Sequence, residues 1–144
     1  MFDVVLLSGG FDPVHVGHIK MIQEAAKIGE VVVIGVNSDN WLARKKGKPF
    51  MTSDERLYIM QSLKGVAYSV SFDDTDNSAC DLIKTVREKY GNDVSIAFAN
   101  GGDRVRSNIP EVQTCLDAKV QMVWNVGGGK IQSSSDLIKN SQHD

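Results

Sequence analysis

Two histidines, His15 and His18, lie three residues apart in the segment 8–18, which reads Ser-Gly-Gly-Phe-Asp-Pro-Val-His-Val-Gly-His. The segment follows an apolar run and precedes an amphipathic one, so it predicts a strand, a glycine turn and a helix N-terminus. The pair Gly9–Gly10 permits a tight reversal of the chain and leaves the backbone open to a ligand. The first helical turn would direct free N–H groups and both imidazoles at that ligand. Gly17 lies between the imidazoles and has no side chain that would block the ligand. The segment therefore predicts a polyphosphate site.

Each of these features alone has an ordinary structural explanation. Many sheets contain a strand-glycine-helix turn with no phosphate nearby, and two histidines at this spacing are often surface residues. The whole string Gly-Phe-Asp-x-x-His-x-Gly-His is far more specific than a lone Gly-x-Gly-x-x-Gly. This string resembles the nucleotide-binding motif of the cytidylyltransferase-like superfamily of nucleotidyltransferases, and the resemblance implies a nucleoside triphosphate as the ligand.

A basic cluster follows the second predicted strand. The segment Trp41–Phe50 comes directly after the polar strand end Val36–Asp39 and carries Arg44, Lys45, Lys46 and Lys48 around a glycine. Most such clusters are solvated loops. In this otherwise acidic chain, however, the cluster lies at the carboxyl end of a strand, where open α/β sheets bind their ligands. We therefore expect this loop to hold phosphates.

Three further segments point to the same kind of ligand. Thr52 and Glu55 have the spacing of a capping box and place Arg56 in the first turn of a helix, where a cation is disfavoured unless an anion is near. That misfit indicates a phosphate contact. The turn Asn100–Arg104 contains two glycines at the carboxyl edge of the sheet. The serines Ser133–Ser135 would cap the last helix and form another anion site.

Apolar runs alternate with segments of helical spacing along the chain. Strands are predicted over residues 3–7, 31–36, 66–72, 94–99 and 120–126. Between them, helices are predicted from the first glycine turn to Gly29, after Thr52 and over 78–90. Two more helices are predicted, one that begins at Asn108 with Glu111 as the capping partner and one that begins after Ser133. This order predicts an α/β fold, a Rossmann-like doubly wound five-stranded parallel sheet in three α/β/α layers. Because no linker divides the chain, we expect residues 1–144 to form a single domain.

The composition excludes several classes of function. The chain has 144 residues, 42% hydrophobic and 24% charged, and a formal net charge of -2. That charge argues against broad nucleic-acid binding and favours small-molecule partners. Cys80 and Cys115 lack metal-ligand spacing and predict free thiols in a reducing compartment. With no basic leader and no apolar run near the length of a membrane span, we expect a cytoplasmic protein with no membrane partner.

Taken together, the motifs resemble those of the cytidylyltransferase-like superfamily of nucleotidyltransferases, which share the His-x-Gly-His motif. Within it, the chain is similar over its whole length to the small glycerol-3-phosphate cytidylyltransferases and to the heptose-phosphate adenylyltransferase domain. The matching segments appear in the family's order, namely Gly10–His18, Val36–Asp39, Lys46–Gly47, Glu55–Leu57, Gly101–Asp103 and Ser133–Leu137. The resemblance implies nucleotidyl transfer, in which a phosphate of the acceptor attacks the α-phosphorus of a nucleoside triphosphate and pyrophosphate leaves.

The resemblance also implies roles for individual residues. His15, His18, Lys46 and Arg56 would be the catalytic contacts to the phosphates. Asp12 would order the turn or orient a magnesium-bound water, and Mg2+ would be held by the phosphates rather than by protein ligands. The nucleotide would be bound by two glycine turns and one helix N-terminus, through Ser8, Gly9, Gly10, Phe11, Asp12, Gly17, Gly102, Asp103, Lys130, Ser133, Ser134 and Ser135.

The motifs leave the nucleobase open between cytosine and adenine. Cytidylyltransferases of this group usually carry an arginine shortly before the serine pair, where this chain has Gly127–Gly129, and Lys130 lacks the planar fork of an arginine. The strand end Val36–Asp39 and the Gly-Gly-Asp turn are closer to the adenylyltransferases. We expect CTP as the nucleotide, a phosphorylated small alcohol or sugar as the acceptor and a homodimer as the assembly. The alternative is ATP with a sugar phosphate.

Two other classes of function share these motifs. A non-catalytic nucleotide-binding module would bind CTP or ATP without releasing pyrophosphate, and the missing arginine favours it. Class I aminoacyl-tRNA synthetases share the His-x-Gly-His motif. This chain, however, is too short for an anticodon-reading region and is not basic, which ranks that class last.

Overall fold

The computed structural model describes residues 1–100, 109–124 and 126–127. Strands and helices follow one another there as β1 Phe2–Gly9, α1 Val16–Ile28, β2 Gly29–Val36, α2 Asp39–Lys46, α3 Ser53–Ser62, β3 Tyr68–Ser71, α4 Cys80–Tyr90, β4 Ile96–Ala99, α5 Ile109–Ala118 and β5 Gln121–Val123. The helix expected after Ser133 lies outside these ranges. Cys80 and Cys115 are free. None of the helices in the described ranges is long and apolar enough to span a membrane.

The described strands form one parallel sheet in the order β3-β2-β1-β4-β5. The central strand is β1, in which Val5 pairs with Val32 of β2 on one side and with Ala97 of β4 on the other. The chain runs outward from β1 to β3 and then returns to β4 on the opposite side of β1. This reversal confirms the predicted doubly wound fold. It places the topological switch point, where such sheets bind ligands, beside the carboxyl end of β1.

Helices cover both faces of the sheet because the central strands are apolar on both faces. Leu7 packs with Ile22 of α1 and Met60 of α3 on one face, whereas Leu6 packs with Leu82 of α4 on the other. Each of these five side chains is at most 1% exposed. Burial of one such side chain contributes about 1.5–3 kcal/mol. The two apolar clusters therefore fix the sheet between its two helical layers, as predicted.

The basic segment is a helix as far as Lys46, so the expected loop is wrong for 41–46 and present only over 47–50. Ser38 caps this helix, since its Oγ accepts a hydrogen bond of 3.0 Å from the N–H of Trp41. The helix runs to Lys46 and ends at Gly47, whose φ of 90° favours glycine. Leu42 is the one buried residue of α2. A helix with one buried residue shows no apolar stripe in its sequence, and this is why the periodicity did not reveal it.

The remaining element predictions are close to the structure. Thr52 and Glu55 form the predicted capping box of α3, and Gly29 ends α1. The third and fifth strands are shorter than the predicted 66–72 and 120–126. Each of them pairs with a single described strand, so fewer of its residues find ladder partners.

Candidate active site

The turn after β1 is packed by side chains on two sides. A Cβ atom at Gly9 would lie 3.0 Å from Cζ of Phe11, and one at Gly10 would lie 3.0 Å from Cδ2 of Leu42. The glycines therefore let Phe11 and α2 pack against the turn, and the backbone is less open than the sequence predicted. Phe11 has a φ of 52°, which is uncommon for a residue with a side chain. Its buried ring lies edge-on to that of His18, with centroids 4.9 Å apart.

His15 and His18 cap the first helix reciprocally. Nδ1 of His15 accepts a hydrogen bond of 3.0 Å from the N–H of Gly17, and Nδ1 of His18 accepts one of 3.1 Å from the N–H of His15. His15 is thus the N-cap, and α1 begins at Val16. Because each Nδ1 accepts a hydrogen bond, each neutral ring carries its proton on Nε2.

The two imidazoles form one stacked unit. Their centroids lie 3.8 Å apart with an interplanar angle of 26°. Nε2 of His15 is buried and has no hydrogen-bond partner among the described residues. A buried N–H without an acceptor is costly in a protein interior, and a ligand oxygen would satisfy it.

Burial keeps both imidazoles neutral. It lowers the pKa of His15 below its ordinary value of 6.5. Burial, together with the neighbouring His15, lowers the pKa of His18 to about 4. In the unliganded protein both rings are therefore uncharged at neutral pH. They are hydrogen-bond donors of fixed direction rather than fixed positive charges.

We expect the low pKa of His18 to make stability depend on pH. Its pKa is about 4 in the folded protein, against an ordinary value of 6.5 in an unfolded chain, so the unfolded state binds more protons between these values. The contribution of His18 to the free energy of unfolding is complete above pH 6.5 and is lost as the pH falls through 4. The full loss is about 3 kcal/mol. Urea unfolding at several pH values from 7.5 to 4.5 measures this loss.

His18→Asn is the matched variant for that measurement. The Asn Oδ1 atom can accept the His15 N–H as Nδ1 does, but the side chain does not titrate. Its free energy of unfolding should fall less steeply between pH 6.5 and 4 than that of the wild type. Parallel curves for the two proteins would show that His18 does not carry the effect.

Asp12 anchors the segment between α2 and α3. Its carboxylate, 1% exposed, accepts hydrogen bonds from the N–H groups of Phe50 at 2.6 Å and Met51 at 2.7 Å. It also forms an ion pair of 2.9 Å with Nζ of Lys46, which donates to the Asp12 carbonyl at 2.7 Å. Burial alone would raise the pKa of Asp12, but these hydrogen bonds and the Lys46 charge lower it below 3.8. Asp12 therefore orders the turn, and both its carboxylate oxygens are engaged.

Arg56, for which the sequence predicts a phosphate contact, is buried, and each of its three guanidinium nitrogens donates within the protein. The guanidinium is 0% exposed and donates to the carbonyl oxygens of Met51, Gly10 and Asn37 at 3.0, 3.0 and 2.6 Å. It also pairs with the carboxylate of Asp39 at 2.7 Å. The anion near this helical cation is thus an aspartate of the protein. Arg56 therefore joins backbone segments that are distant in the chain.

A second buried carboxylate, which the sequence did not reveal, holds the end of β2. Asp74 is 2% exposed and accepts hydrogen bonds from Nδ2 of Asn37 and from the N–H and Oγ of Ser38 at 2.7–3.0 Å. Arg44, expected among the phosphate-binding cations, donates to the Asp74 carbonyl and to Oδ1 of Asn77. Ser38 is 36 residues from Asp74 in the chain, so only the fold brings these groups together.

Several predicted site residues lie outside the described part of the chain, namely Gly102, Asp103, Lys130, Ser133, Ser134 and Ser135. The described ones meet at the carboxyl end of β1, beside the switch point. Ser8 is half-buried at the end of that strand, and Gly17 donates to His15. Within the described ranges, no group of three or more His, Cys, Asp or Glu side chains could hold a metal ion.

Comparison with protein families assigns residues 6–139 to the family described as Cytidylyltransferase-like. The chain belongs to the cytidylyltransferase-like family. Its curated relatives include the bifunctional protein HldE of Geobacter sulfurreducens, 32% identical over 140 residues, and that of Aliarcobacter butzleri, 37% identical over 141 residues. These matches cover 94% and 96% of this chain but 26% and 27% of the relatives. The chain therefore spans about a quarter of the length of the curated relatives it matches.

Solved structures share the fold of this cytidylyltransferase-like chain. The lipopolysaccharide core biosynthesis protein from Thermoplasma volcanium matches with a TM-score of 0.62 and 26% identity over 86% of this chain and 96% of that one. A bifunctional NMN adenylyltransferase/ADP ribose pyrophosphatase from Francisella tularensis matches with a TM-score of 0.67 and 17% identity, over 100% of this chain and 43% of that one. The second likeness shows the fold alone.

The cytidylyltransferase-like site brings together nitrogen groups that donate hydrogen bonds. Two Nε2–H groups belong to the start of α1, which follows the glycine turn, and the ammonium of Lys46 is bound to Asp12 between that turn and α1. Helix N-termini and N–H donors favour anionic oxygens, and phosphate is the anion with several such oxygens in one group.

Proposed function

We propose that this chain is an adenylyltransferase that transfers AMP from ATP to a phosphorylated sugar and releases pyrophosphate. The observation that carries the proposal is the reciprocal His15–His18 cap, which fixes both Nδ1 atoms and leaves Nε2 of His15 buried without a partner among the described residues. A phosphate oxygen of the nucleotide supplies the missing acceptor.

The reaction requires positioning and charge stabilisation. A phosphate oxygen of the acceptor bonds to the α-phosphorus while the bond from that phosphorus to the α–β bridging oxygen breaks. The nucleophile is already ionised at neutral pH, so no general base is needed and pyrophosphate leaves with the bonding electrons. Nε2–H of His15 and of His18 would donate to the oxygens on which charge develops. Preorganised donors of this kind act most strongly where water is excluded.

Lys46 would supply the positive charge of this site. Its ammonium is held by Asp12, and its side chain is 38% exposed, so it remains accessible to a ligand. An ammonium has three donors, of which two point to the carboxylate and the carbonyl of Asp12. The third has no hydrogen-bond partner among the described residues and can reach a phosphate oxygen.

Magnesium fits this site as part of the substrate. Both carboxylate oxygens of Asp12 accept protein hydrogen bonds, and the described residues contain no group of three or more His, Cys, Asp or Glu that could hold a metal ion. Mg2+ prefers few protein ligands and several phosphate and water oxygens. We therefore expect it to enter as MgATP and to neutralise charge on the phosphates.

The choice of ATP reverses the order expected from the sequence, which placed CTP first. Relatives at 30–38% identity carry the name HldE, and these comparisons favour the adenylyltransferase alternative. The strand end Val36–Asp39 already resembled the adenylyltransferases. A sugar phosphate as acceptor agrees with the likeness to a lipopolysaccharide core biosynthesis protein, because a lipopolysaccharide core is built from sugars.

An assay of pyrophosphate release tests the proposal. The protein is incubated with MgATP or MgCTP and a panel of sugar 1-phosphates, heptose phosphates and glycerol 3-phosphate. We expect turnover with ATP and a sugar phosphate, at a kcat/KM at least about 10-fold above that with CTP, which corresponds to about 1.4 kcal/mol. A preference for CTP would restore the cytidylyltransferase alternative.

The same preparation separates catalysis from binding alone. A non-catalytic module would bind ATP in calorimetry but release no pyrophosphate with any acceptor.

The homodimer and the cytoplasmic location expected from the sequence stay predictions. Light scattering coupled to size-exclusion chromatography tests the predicted homodimer.

A further inference from the structure

We infer that Arg56 is a positioning residue that sets the direction of the phosphate-binding turn through the carbonyl oxygen of Gly10. The inference rests on the proposed function, because it names how that site is held in shape. The role inferred here differs from the phosphate contact that the sequence predicts for this residue.

The guanidinium of Arg56 joins three segments at the carboxyl edge of the sheet. Nη1 donates to the carbonyl oxygen of Gly10, just after β1, at 3.0 Å and to that of Asn37, just after β2, at 2.6 Å. Nε donates to the carbonyl oxygen of Met51, in the segment before α3, at 3.0 Å. Nη2 pairs with Asp39 at the start of α2. One planar group therefore fixes the relative positions of the ends of β1 and β2.

The contact to Gly10 controls a backbone donor. In a trans peptide the C=O and the following N–H point in opposite directions. By holding the Gly10 oxygen, Arg56 fixes the direction of the Phe11 N–H, which points the opposite way within the same peptide plane. Among the described residues, no hydrogen bond from that N–H is found. The ring of Phe11 in turn contacts His18, so the same peptide plane also positions the histidine pair.

Asp12 extends the same network. It binds the N–H of Met51, whose carbonyl is bound by Arg56. Two buried side chains thus hold Met51, one at its N–H and the other at its carbonyl oxygen. A shift of Arg56 would therefore reach the turn by two routes, through Gly10 directly and through Met51 and Asp12.

Arg87 provides a matched control for a purely structural arginine. Its guanidinium also donates to four backbone carbonyls, those of Gly91, Val94, Ala118 and Lys119, at 2.7–2.9 Å. These carbonyls lie at the ends of α4 and α5 and at the start of β4, away from the histidines. Arg87→Lys removes a fork of the same kind without touching the site.

The test compares Arg56→Lys with Arg87→Lys in three measurements. These are kcat with ATP and the sugar phosphate, the Kd of magnesium pyrophosphate by calorimetry, and amide hydrogen exchange of the peptide that contains Gly10 and Phe11. Exchange reports local opening and needs no activity. Because misplacement by about 1 Å can cost about 10²-fold in rate, we expect Arg56→Lys to lower kcat at least about 10-fold. We also expect pyrophosphate affinity to fall at least about 5-fold and exchange to accelerate. Arg87→Lys should leave all three within about twofold while lowering Tm.

The outcomes separate this inference from the proposed function. An inactive wild type would contradict the proposed function, and the exchange data would still decide the role of Arg56. Wild-type exchange and kcat in Arg56→Lys, with a Tm loss like that of Arg87→Lys, would overturn the inference. Faster exchange with unchanged kcat would overturn it as well. If Arg56→Lys does not fold, Asp39→Asn replaces it, because this variant keeps the three carbonyl contacts and removes only the orienting carboxylate. It should show the same changes at smaller size, and their absence would count against the inference.

Discussion

Replacing His15 with asparagine is expected to lower kcat about 10²- to 10³-fold, the cost of removing one donor aimed at transition-state charge. The variant should nevertheless fold. Asparagine is among the best N-cap residues, and its Oδ1 atom can accept the Gly17 N–H that Nδ1 of His15 accepts in the wild type. What is lost is the Nε2–H donor and the stack on His18. Stopped-flow or steady-state pyrophosphate release measures kcat.

His15→Ala separates catalysis from capping. It removes the same donor and also the cap acceptor, so kcat should fall as in His15→Asn while the free energy of unfolding drops by about a further 1 kcal/mol. If His15→Asn kept wild-type turnover, the role of Nε2 would be refuted. If only the alanine variant lost activity, the histidine would act through the helix cap alone.

Asp12→Asn is expected to cost about 3 kcal/mol of folding free energy and to lower kcat about 10²-fold. The carboxylate is 1% exposed and accepts two backbone N–H groups, and hydrogen bonds to a charged group contribute about 1.5–3 kcal/mol each. An asparagine side chain has one acceptor oxygen, so one of the two N–H groups loses its partner. The ion pair with Lys46 adds little by itself because that lysine is 38% exposed. Activity should fall because the segment that carries Met51 is no longer held against the turn.

Asp117→Asn is the control for this substitution. Asp117 is exposed on α5 and accepts a hydrogen bond from Gln113, so its replacement should change the free energy of unfolding by less than about 0.5 kcal/mol. Urea unfolding at pH 7.5 measures both variants. A loss in Asp12→Asn no greater than in Asp117→Asn would mean that the buried carboxylate does not organise the turn.

The sequence predicted those parts of the fold in which one segment carries its own signal. The strands β1, β2 and β4 are continuous apolar runs because helices cover both of their faces, and the capping box of α3 is contained in Thr52–Glu55. The helix α2 escaped prediction because it buries Leu42 alone and is otherwise polar. Its start depends on Ser38, whose side chain and N–H are held by Asp74 from a distant part of the chain.

In the site, the partners of Arg56 could not be predicted from the sequence either. The sequence placed Arg56 at a helix N-terminus and indicated that an anion must be near, but several partners explain such a misfit equally well. The carbonyl of Gly10 is 46 residues away and that of Asn37 is 19 residues away. Only the fold shows that these oxygens and Asp39 converge on the guanidinium. A buried cation satisfied by backbone oxygens leaves no pattern in the sequence.

The reciprocal histidine cap, in contrast, has a signal that could have been used. The spacing of His15 and His18 equals that of the N-cap and N3 residues of a capping box. Imidazole nitrogens can accept N–H groups as hydroxyl and carboxylate oxygens do. A capping box made of two histidines could therefore have been predicted from the sequence. It implies that both Nδ1 atoms accept backbone N–H groups and that only the Nε2 atoms are left to contact a ligand.

The central claim is that His15 and His18 are neutral donors that meet the phosphates through Nε2. Nitrogen-15 NMR of the imidazoles tests it most directly, since the chain has three histidines and His15→Asn and His18→Asn identify the two signals of interest. At pH 7 without ligand, both rings should be Nε2–H tautomers with unprotonated Nδ1. Saturation with magnesium pyrophosphate should shift both Nε2 signals and leave the Nδ1 signals in place. Charged rings in the free protein, Nδ1–H tautomers, or Nε2 signals that do not respond to the ligand would contradict the claim.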